Sequence, residues 1–373
     1  MSKSLANISL PAEETALVSA TEQRKQSHVE LCLNADVDFV ITNGFERYRY
    51  AHNAAPELNF SDIDLSTTFL GRRISYPFMI SSMTGGYAGA TFVNQLLAEA
   101  CQELGIPFGV GSMRQALENT TQRESFSVVR RAAPTIQIFA NIGAAEVAAG
   151  LSPAQYRLLI DLIQADGLIV HLNPAQELFQ PEGNTNFKGL LRELKILTTE
   201  LSLPVIVKEV GCGISAPVAE RLLEAGARVI DVAGAGGTNW QKVEALRHEH
   251  KFGNDARFSP SALAELMSWG IPTAQCLEDV SSLRTRYPEM ELISSGGITN
   301  GIEIAKSLSL GATIAASAKP MIQALLVNNG GKDAVKSRIQ TMMNDLRAAM
   351  FLVGAGTIDT LKEIKLISEK KYG

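Results

Sequence analysis

Short runs of apolar residues, each ending in polar residues or glycine, recur along the chain from about residue 70 onward. Amphipathic stretches long enough for helices, such as 92–104 and 217–225, separate these runs. Short buried runs are typical of strands in a parallel sheet, and the stretches between them are typical of helices packed on that sheet. The alternation predicts eight strands, at 78–82, 108–111, 136–140, 168–171, 205–208, 229–232, 292–295 and 313–316.

Eight strand-helix units over roughly 250 residues match the size and order of a (β/α)8 barrel, with a doubly wound sheet as the structural alternative. We therefore predict an α/β fold, a single TIM barrel with an irregular N-terminal extension. Residues 1–70 are assigned to the extension, and residues 71–373 to the barrel with its C-terminal helices.

Local sequence signals predict helices in two further segments. Residues 271–275 could form a ninth strand, but Pro272 suits the first turn of a helix and the apolar spacing that follows is helical, so a helix start is preferred. Near the C-terminus one apolar stripe predicts a long helix that ends at Gly354. Its members are Val335, Ile339, Met342, Leu346, Met350 and Val353.

Composition narrows the class of protein. The 373 residues are 46% hydrophobic and carry a net charge of -5, which argues against a nucleic-acid partner because that partner needs a basic surface. No apolar run is long enough to span a membrane, and the first residues lack the apolar core of a secretory signal. Four cysteines without a C-x-x-C pair indicate free thiols in a reducing compartment. A cytoplasmic enzyme is the expectation.

Polar side chains follow seven of the predicted strands, where a barrel carries its chemistry. Buried amines, amides and hydroxyls cost desolvation free energy unless a polar ligand satisfies them. The seventh strand is followed by Gly296 and Gly297, which open a predicted helix from about Asn300. Backbone N–H groups at such a turn bind phosphate, although a turn chosen only for tightness is the simpler alternative.

Individual side chains have two interpretations each. Lys208 either pairs with Glu209 or Asp231, or stabilises negative charge on a reduced flavin. His171 suits a core histidine or a catalytic one, and Asn173 and Gln176 suit loop caps or ligand contacts. Glu177 is a plausible ligand for Mg²⁺, which usually keeps waters and is completed by substrate phosphates. Four of these side chains lie at or just after the end of the fourth predicted strand: His171, Asn173, Gln176 and Glu177.

Two further groups carry charge. Arg24, Lys25 and His28 form a basic cluster that is either a solvated helix face or a site for an anionic group. His248 and His250 fall in a predicted charged surface loop without a third metal ligand nearby.

From Arg24 to about Pro320 the chain resembles the type 2 isopentenyl-diphosphate isomerases. The most specific motifs are Arg24-Lys-Gln-Ser-His28, His171-Leu-Asn-Pro-Ala-Gln-Glu177 and Gln180-Pro-Glu-Gly183; glycine-rich turns such as 83–86 and 231–238 are shared with other FMN barrels. The resemblance implies that these residues line the flavin or hold its phosphate: Ser82, Met83, Thr84, Ser112, Asn141, Lys208, Thr238, Gly297, Ile298, Thr299, Ala315 and Ala316. It implies a diphosphate site at Arg24, Lys25, His28, Ser112, Met113 and Arg114, with Gln176 also against the substrate. It implies catalytic positions at His171, Asn173, Gln176 and Lys208, and Mg²⁺ at Glu177.

The implied reaction interconverts isopentenyl and dimethylallyl diphosphate by a 1,3-allylic proton shift. Reduced FMN acts as acid-base catalyst, Mg²⁺ assists and NADPH reduces the flavin. The resemblance, with the usual behaviour of barrels this size, also implies a homo-oligomer, a tetramer or octamer. The alternatives are an FMN oxidoreductase of a small hydroxy acid or dihydropyrimidine, a flavin- or phosphate-binding barrel without catalysis, and a phosphate-binding barrel without flavin. The oxidoreductase is disfavoured because no histidine follows the sixth strand in a fitting context.

Overall fold

The computed structural model describes residues 20–87, 89–252 and 257–369. The helices are α1 (Ala20–Asn34), α2 (Ala90–Leu104), α3 (Arg114–Glu118), α4 (Glu124–Ala132), α5 (Ala144–Ala148), α6 (Pro153–Ile163), α7 (Pro174–Phe179), α8 (Leu190–Glu200), α9 (Ala216–Glu224), α10 (Trp240–Phe252), α11 (Pro260–Met267), α12 (Thr273–Ser281), α13 (Gly301–Ser309), α14 (Lys319–Leu326), α15 (Gly331–Val353) and α16 (Ile358–Lys362). The strands are β1 (Tyr48–Arg49), β2 (Thr67–Phe69), β3 (Arg72–Ile74), β4 (Phe78–Ile80), β5 (Phe108–Gly109), β6 (Ile138–Gly143), β7 (Gly167–Leu172), β8 (Val205–Glu209), β9 (Val229–Asp231), β10 (Glu291–Ser294), β11 (Ile314–Ser317) and β12 (Ile367–Ser368).

Strands β4 to β11 form a closed parallel barrel in chain order, and β11 returns to pair with β4. This closure confirms the predicted (β/α)8 fold and excludes the doubly wound sheet, which would have two edge strands. Each of the eight predicted strands overlaps an observed one. The third differs most, because β6 continues pairing with β7 through Gly143, beyond the polar Asn141 where the apolar run ends.

The helix preferred at 271–275 is confirmed. Helix α12 begins at Thr273, with Pro272 at its N-cap, and the strand alternative survives only as one isolated bridge between Ala235 and Pro272. The long C-terminal helix is confirmed as α15. Its apolar stripe is buried, and Gly354 ends it with a left-handed φ of 77° that glycine adopts without strain.

The core has two layers. Apolar side chains between the barrel and the surrounding helices form the larger one, and a smaller cluster fills the barrel interior. The antiparallel hairpin β2–β3 contributes Phe69 and Ile74 to the interior cluster, and the Phe69 ring meets Phe139 edge-on at 5.9 Å between centroids. The division expected at residue 70 falls inside this hairpin and stays a prediction.

The segment between α1 and β1 crosses the loop that follows β9. Phe39 donates its backbone N–H to the Gly237 carbonyl at 2.9 Å, and Asn239 donates to the Val37 carbonyl at 2.7 Å. Cys32 and Val37 pack against Val243 of α10. These contacts hold α1 at the carboxyl end of the barrel. In the described part of the chain, no helix combines the length and apolar character that crossing a bilayer demands.

Candidate active site

A cavity of about 340 Å³ opens at the carboxyl end of the barrel strands, with α1 along one side. Most side chains that the sequence predicted for the site line it. They are Arg24, Lys25, His28, Ser82, Met83, Ser112, Arg114, Asn141, His171, Asn173, Gln176, Glu177, Lys208, Thr238, Gly297, Ile298, Thr299 and Ala316. The fold thus brings the expected flavin side and the expected diphosphate side into one chamber.

Three predicted residues lie behind the cavity wall instead. Thr84 is buried, and its hydroxyl is hydrogen-bonded to Asn94. Met113 and Ala315 are each 0% exposed and pack in the outer core. The motifs include these residues because they adjoin cavity residues in the chain. Ala315 lies in β11, where alternate side chains point to opposite sides of the strand; Thr84 and Met113 lie in the segments after β4 and β5.

Strand register aligns three polar side chains at the barrel mouth. His171 pairs with Lys208 across β7–β8, and Lys208 pairs with Asp231 across β8–β9. The Lys208 Nζ lies 3.4 Å from Asp231 Oδ2 and donates to the Glu209 carbonyl at 2.9 Å. Ser295 donates to the other Asp231 oxygen at 2.6 Å. A buried ammonium is therefore held in place by a carboxylate behind it.

Of the two carboxylates that the sequence left open as partners of Lys208, only Asp231 pairs with it by its charge. The Glu209 side chain turns to its own loop, where one oxygen accepts the N–H groups of Val210, Gly211 and Cys212 at 2.5 to 2.6 Å. Three such donors fix the turn after β8 and so fix the position of Lys208.

His171 is a neutral imidazole. Burial, followed by the nearby Lys208 and Lys25 charges, lowers its pKa to about 4. Its Nδ1 lies 2.7 Å from Asn141 Oδ1, an arrangement in which Nδ1 carries the proton and Nε2 is left as an acceptor. His171 therefore adds a hydrogen-bonding group to the cavity without adding charge.

The basic residues of α1 reach the opposite wall. Lys25 donates to the carbonyls of Gly85 at 2.8 Å and Ser112 at 2.7 Å. Burial, with the charge of Arg24 next, lowers the pKa of Lys25 to about 7. Within the described residues the Arg24 guanidinium has no hydrogen bond or ion pair, so its charge is available to a ligand. The cluster is thus part of the cavity and not a solvated face.

Glu244 on α10 connects the two walls, a role that sequence reasoning did not predict. It is 0% exposed and receives hydrogen bonds from His28 Nε2 at 2.7 Å, from Gln176 Nε2 at 2.9 Å and from Arg247. Burial alone raises the pKa of this carboxyl, but His28 and Arg247 outweigh burial and bring its pKa to about 2. A negative charge therefore orients both His28, which the sequence predicted for the diphosphate, and Gln176, which it predicted for the substrate.

The prediction of a charged loop around His248 and His250 was wrong, because both lie in α10. The charged residues in this segment suggested a loop, but they belong to the outer face of a helix. A weak indication was present, since Trp240, Glu244 and Arg247 follow helical spacing on one face. Neither histidine lines the cavity, whose described histidines are His28 and His171.

Glu177 stands at the cavity edge as the one predicted metal ligand. It accepts hydrogen bonds from Asn173 Nδ2 at 2.9 Å and from the backbone N–H of Asn184 at 2.6 Å. Burial raises its pKa, so a cation beside this carboxyl would be stabilising. No group of three or more metal-ligating side chains occurs in ranges 20–87, 89–252 and 257–369. Further ligands would have to come from substrate or water.

A glycine-rich turn after β10 forms the other end of the cavity. Gly296 and Gly297 have φ of 100° and 75°, and α13 follows with an Asn300–Glu303 capping box. Throughout the described chain, no acceptor pairs with the N–H groups of Gly297 and Ile298. Adjacent unpaired N–H groups next to a cavity suit an anion such as phosphate.

Ser82 also presents an unpaired polar group that suits a polar cofactor. Its hydroxyl oxygen is buried, lines the cavity and has no partner among the described residues. A Cβ at Gly109 would lie 2.7 Å from this oxygen, so glycine keeps the approach open. The unpaired hydroxyl, the fixed Lys208 ammonium and the free N–H pair together fit a flavin mononucleotide.

Comparison with solved structures shows the fold. The flavin-binding domain of baker's yeast flavocytochrome b2 aligns with a TM-score of 0.63 at 15% identity, over 89% of this chain and 79% of that one. A lactate oxidase of Pediococcus acidilactici aligns with a TM-score of 0.64 at 17% identity, over 96% of both chains. At these identities the likeness extends to the barrel alone.

Sequence comparison is more specific. The model of the FMN-dependent dehydrogenase family matches residues 41–148 and 173–368. An isopentenyl-diphosphate delta-isomerase from Pelodictyon phaeoclathratiforme (strain DSM 5477 / BU-1) is 56% identical over 94% of this chain and 98% of its own. One from Nostoc sp. (strain PCC 7120 / SAG 25.82 / UTEX 2576) is 41% identical over 92% and 94%. The chain therefore belongs to the isopentenyl-diphosphate delta-isomerases, within the FMN-dependent dehydrogenase family.

Proposed function

We propose that this protein is an isopentenyl-diphosphate delta-isomerase that interconverts isopentenyl and dimethylallyl diphosphate for isoprenoid biosynthesis. One proton is added to the terminal methylene carbon and another is removed from the carbon on the far side of the double bond. The double bond moves, and there is no net oxidation or reduction. Similarity to relatives of that name over nearly the whole chain supports the proposal.

The observation that carries it is a single cavity with two different ends. One end has the unpaired N–H groups of Gly297 and Ile298 beside the buried Lys208, which fits a flavin mononucleotide. The other end has Arg24 and Lys25 together with Glu177, which fits a diphosphate and its metal ion. A small hydroxy acid carries a single carboxylate, so several basic side chains together with a carboxylate suited to a metal ion favour the more highly charged diphosphate.

For the flavin end, we assign the phosphate to Gly297, Ile298 and Thr299, and the ring surroundings to Ser82, Asn141 and Lys208. Reduced FMN would supply the acid-base group for the proton shift. The Lys208 ammonium, fixed by Asp231, favours negative charge next to it. Neutral His171 and its neighbour Asn173 present hydrogen-bonding groups to the bound molecules without competing for that charge.

For the diphosphate end, we assign the phosphate oxygens to Arg24, Lys25, His28, Ser112 and Arg114. Arg114 already donates to Glu118 at 2.6 Å and to Glu146 at 3.2 Å, so part of its guanidinium is committed. Mg²⁺ at Glu177 would neutralise the remaining phosphate charge. Binding free energy from this remote group then holds the reacting carbons in place.

Gln176 is assigned to orienting the substrate. Its amide nitrogen donates to Glu244 at 2.9 Å and its carbonyl oxygen accepts from Asn173 Nδ2 at 3.3 Å, so both ends of the amide are fixed. The same carboxylate holds His28. Diphosphate binding and carbon-chain orientation are therefore tied to one charge on α10.

The test is an anaerobic assay with isopentenyl diphosphate, FMN, Mg²⁺ and NADPH, in which formation of dimethylallyl diphosphate is measured. In deuterated water the product is expected to contain solvent deuterium, because the added proton comes from an exchangeable group. Turnover without exchange would contradict the proton route.

The assay also separates the alternatives. A yellow protein that is inert with isopentenyl diphosphate but oxidises a hydroxy acid or a dihydropyrimidine would be an oxidoreductase. A yellow protein inert with all of these would be a binding barrel, and one that retains no FMN would bind phosphate without flavin. NADPH is proposed only as reductant, so dithionite should replace it.

We further propose a cytoplasmic enzyme that acts as a homo-oligomer, a tetramer or octamer, with no nucleic-acid or membrane partner. Four free cysteines suit a reducing compartment. Light scattering of the purified protein would test the oligomeric state.

A further inference from the structure

We propose that Asn43 is a positioning residue that holds the phosphate-binding peptides of the cofactor site, an inference that rests on FMN being the cofactor proposed above. Asn43 lies in the segment between α1 and β1, and it is 8% exposed. It does not line the cavity. Its influence on the phosphate would therefore act through its contact with Gly297.

The side-chain amide of Asn43 is fully used. Nδ2 donates one hydrogen to the Gly297 carbonyl and the other to Glu303 Oε1, each at 2.8 Å. Oδ1 accepts a hydrogen bond from the backbone N–H of Phe45 at 3.3 Å. The backbone carbonyl of Asn43 accepts one from the backbone N–H of Ala274 at 2.9 Å. A side chain with this many bonds is fixed in one orientation.

The contact with Gly297 decides which way a peptide faces. The C=O and N–H of a trans peptide point in opposite directions, so a donor that binds the Gly297 carbonyl turns the Ile298 N–H away from itself. Thr273 does the same for the preceding peptide by donating to the Gly296 carbonyl at 2.7 Å. The two N–H groups that result, of Gly297 and Ile298, are the unpaired pair in the turn.

Packing leaves little freedom for this arrangement to change. A Cβ on Gly236 would lie 2.2 Å from the Asn43 backbone nitrogen, and a Cβ on Gly297 would lie 2.4 Å from the Gly236 carbonyl oxygen. The Asn43 segment, the turn after β9 and the turn after β10 therefore stack in direct backbone contact. Through its bond to Gly297, Asn43 connects its own segment to the turn after β10, which lies 254 positions away in the sequence.

The chemistry requires a donor at this position. An aspartate has nearly the same shape but would place a carboxylate oxygen against both the Gly297 carbonyl and the Glu303 carboxylate. Asn43→Asp should therefore disturb the turn more than Asn43→Ala, which only removes the donor. Thr42→Ala is a matched control, because Thr42 is the exposed neighbour and its hydroxyl donates to Glu46 at 2.6 Å, away from the glycine turn.

The experiment measures the dissociation constants of FMN and of riboflavin for the apoprotein by quenching of flavin fluorescence. Riboflavin has the same ring but no phosphate, so the ratio of the two constants reports the phosphate contribution. We expect Asn43→Ala to weaken FMN about tenfold, as for the loss of one orienting hydrogen bond, and to change riboflavin less than about twofold. Asn43→Asp should weaken FMN further, and Thr42→Ala should change neither constant.

Two results would overturn the inference. Equal weakening of FMN and riboflavin would mean that Asn43 supports the fold in general, and an unchanged FMN constant in both variants would mean that the turn holds its conformation without it. Melting temperatures of the apoproteins identify a variant that is simply unfolded; Asn43→Ala, which adds no charge beside Glu303, is the deciding variant, and its retained riboflavin binding shows that the ring site is intact. Failure of the native protein to bind FMN would instead sink the proposed function itself.

Discussion

Lys25, His171 and Glu244 illustrate how the surroundings of the cavity move the pKa of an ionisable side chain. Burial lowers the pKa of Lys25 to about 7 and the pKa of His171 to about 4, because each side chain loses contact with water and lies near other positive charges. Glu244 is fully buried, yet its pKa falls to about 2 because it has His28 and Arg247 as partners. Burial alone disfavours charge, and the neighbouring residues decide whether the charge is kept.

The first residue-scale prediction concerns pH. The pKa of Lys25 is lowered, so its ammonium is fully charged below about pH 7 and loses its charge as the pH rises through 7. Because the proposed function assigns Lys25 to the substrate diphosphate, kcat/KM of the native enzyme should fall above pH 7. Lys25→Met should have a lower kcat/KM at pH 6 and lack this particular decline. An identical decline in the variant would assign the titration to another group.

The second residue-scale prediction concerns Glu244. Glu244→Gln removes the negative charge of the carboxylate that accepts hydrogen bonds from His28 and Gln176. We expect kcat/KM to fall about tenfold to hundredfold, the range for losing a charged hydrogen-bond partner. FMN affinity should stay the same, since neither His28 nor Gln176 is among the residues assigned to the flavin. Glu249→Gln, exposed on the same helix, is the control. Equal activity of both variants would contradict the orienting role.

Among the elements, α13 depends most clearly on Asn300, the residue that caps its N-terminus. The Asn300 side chain accepts the Glu303 N–H at 3.0 Å, and Glu303 in turn accepts the N–H groups of Thr299 and Asn300. The capping box therefore ends the glycine turn and begins the helix at the same place. Its geometry supports the position of the two unpaired N–H groups before it.

At the scale of this element, Asn300→Ala should lower the free energy of unfolding by about 1 kcal/mol, the usual cost of losing an N-cap side chain. Urea denaturation followed by circular dichroism measures it. Ser337→Ala, at an exposed site inside α15, should change the value by less than about 0.5 kcal/mol. A similar small change in both variants would show that the cap contributes little.

For the whole molecule, the two ends of the barrel are closed in different ways. The hairpin β2–β3 fills the amino end with apolar side chains, and the segment after α1 lies over the carboxyl end through backbone hydrogen bonds. One closure is a packed core and the other leaves a cavity. Stability is therefore concentrated at one end and binding at the other.

Phe69 provides the test of the packed end. It is 0% exposed and belongs to the interior cluster, so Phe69→Ala should cost about 3 to 5 kcal/mol of unfolding free energy, as for other buried aromatic residues. Phe92→Ala, where the side chain is 56% exposed, should cost far less. Thermal or urea unfolding compares them. Comparable losses in the two variants would refute the view that the hairpin seals the core.

Particular residues show how far pattern alone could go. The apolar runs located the eight strands because parallel strands buried on both faces need continuous apolar sequence, but the run before Asn141 stopped short because polar Asn141 continues β6 while facing the cavity. Thr84, Met113 and Ala315 were grouped with cavity residues because motifs do not show which side a residue faces. Glu244 and Asn43 carried no distinguishing pattern at all.

The sequence by itself determined the barrel, the strand ends that carry chemistry and the family, since these follow from periodicity and from motifs contiguous in the chain. Only the tertiary structure decided that Lys208 pairs with Asp231, that Glu244 joins His28 to Gln176, and that Asn43 reaches Gly297. Such contacts depend on the register of closed strands and on where α1 and α10 dock. Those positions are set by packing between segments far apart in the chain, and local composition does not encode them.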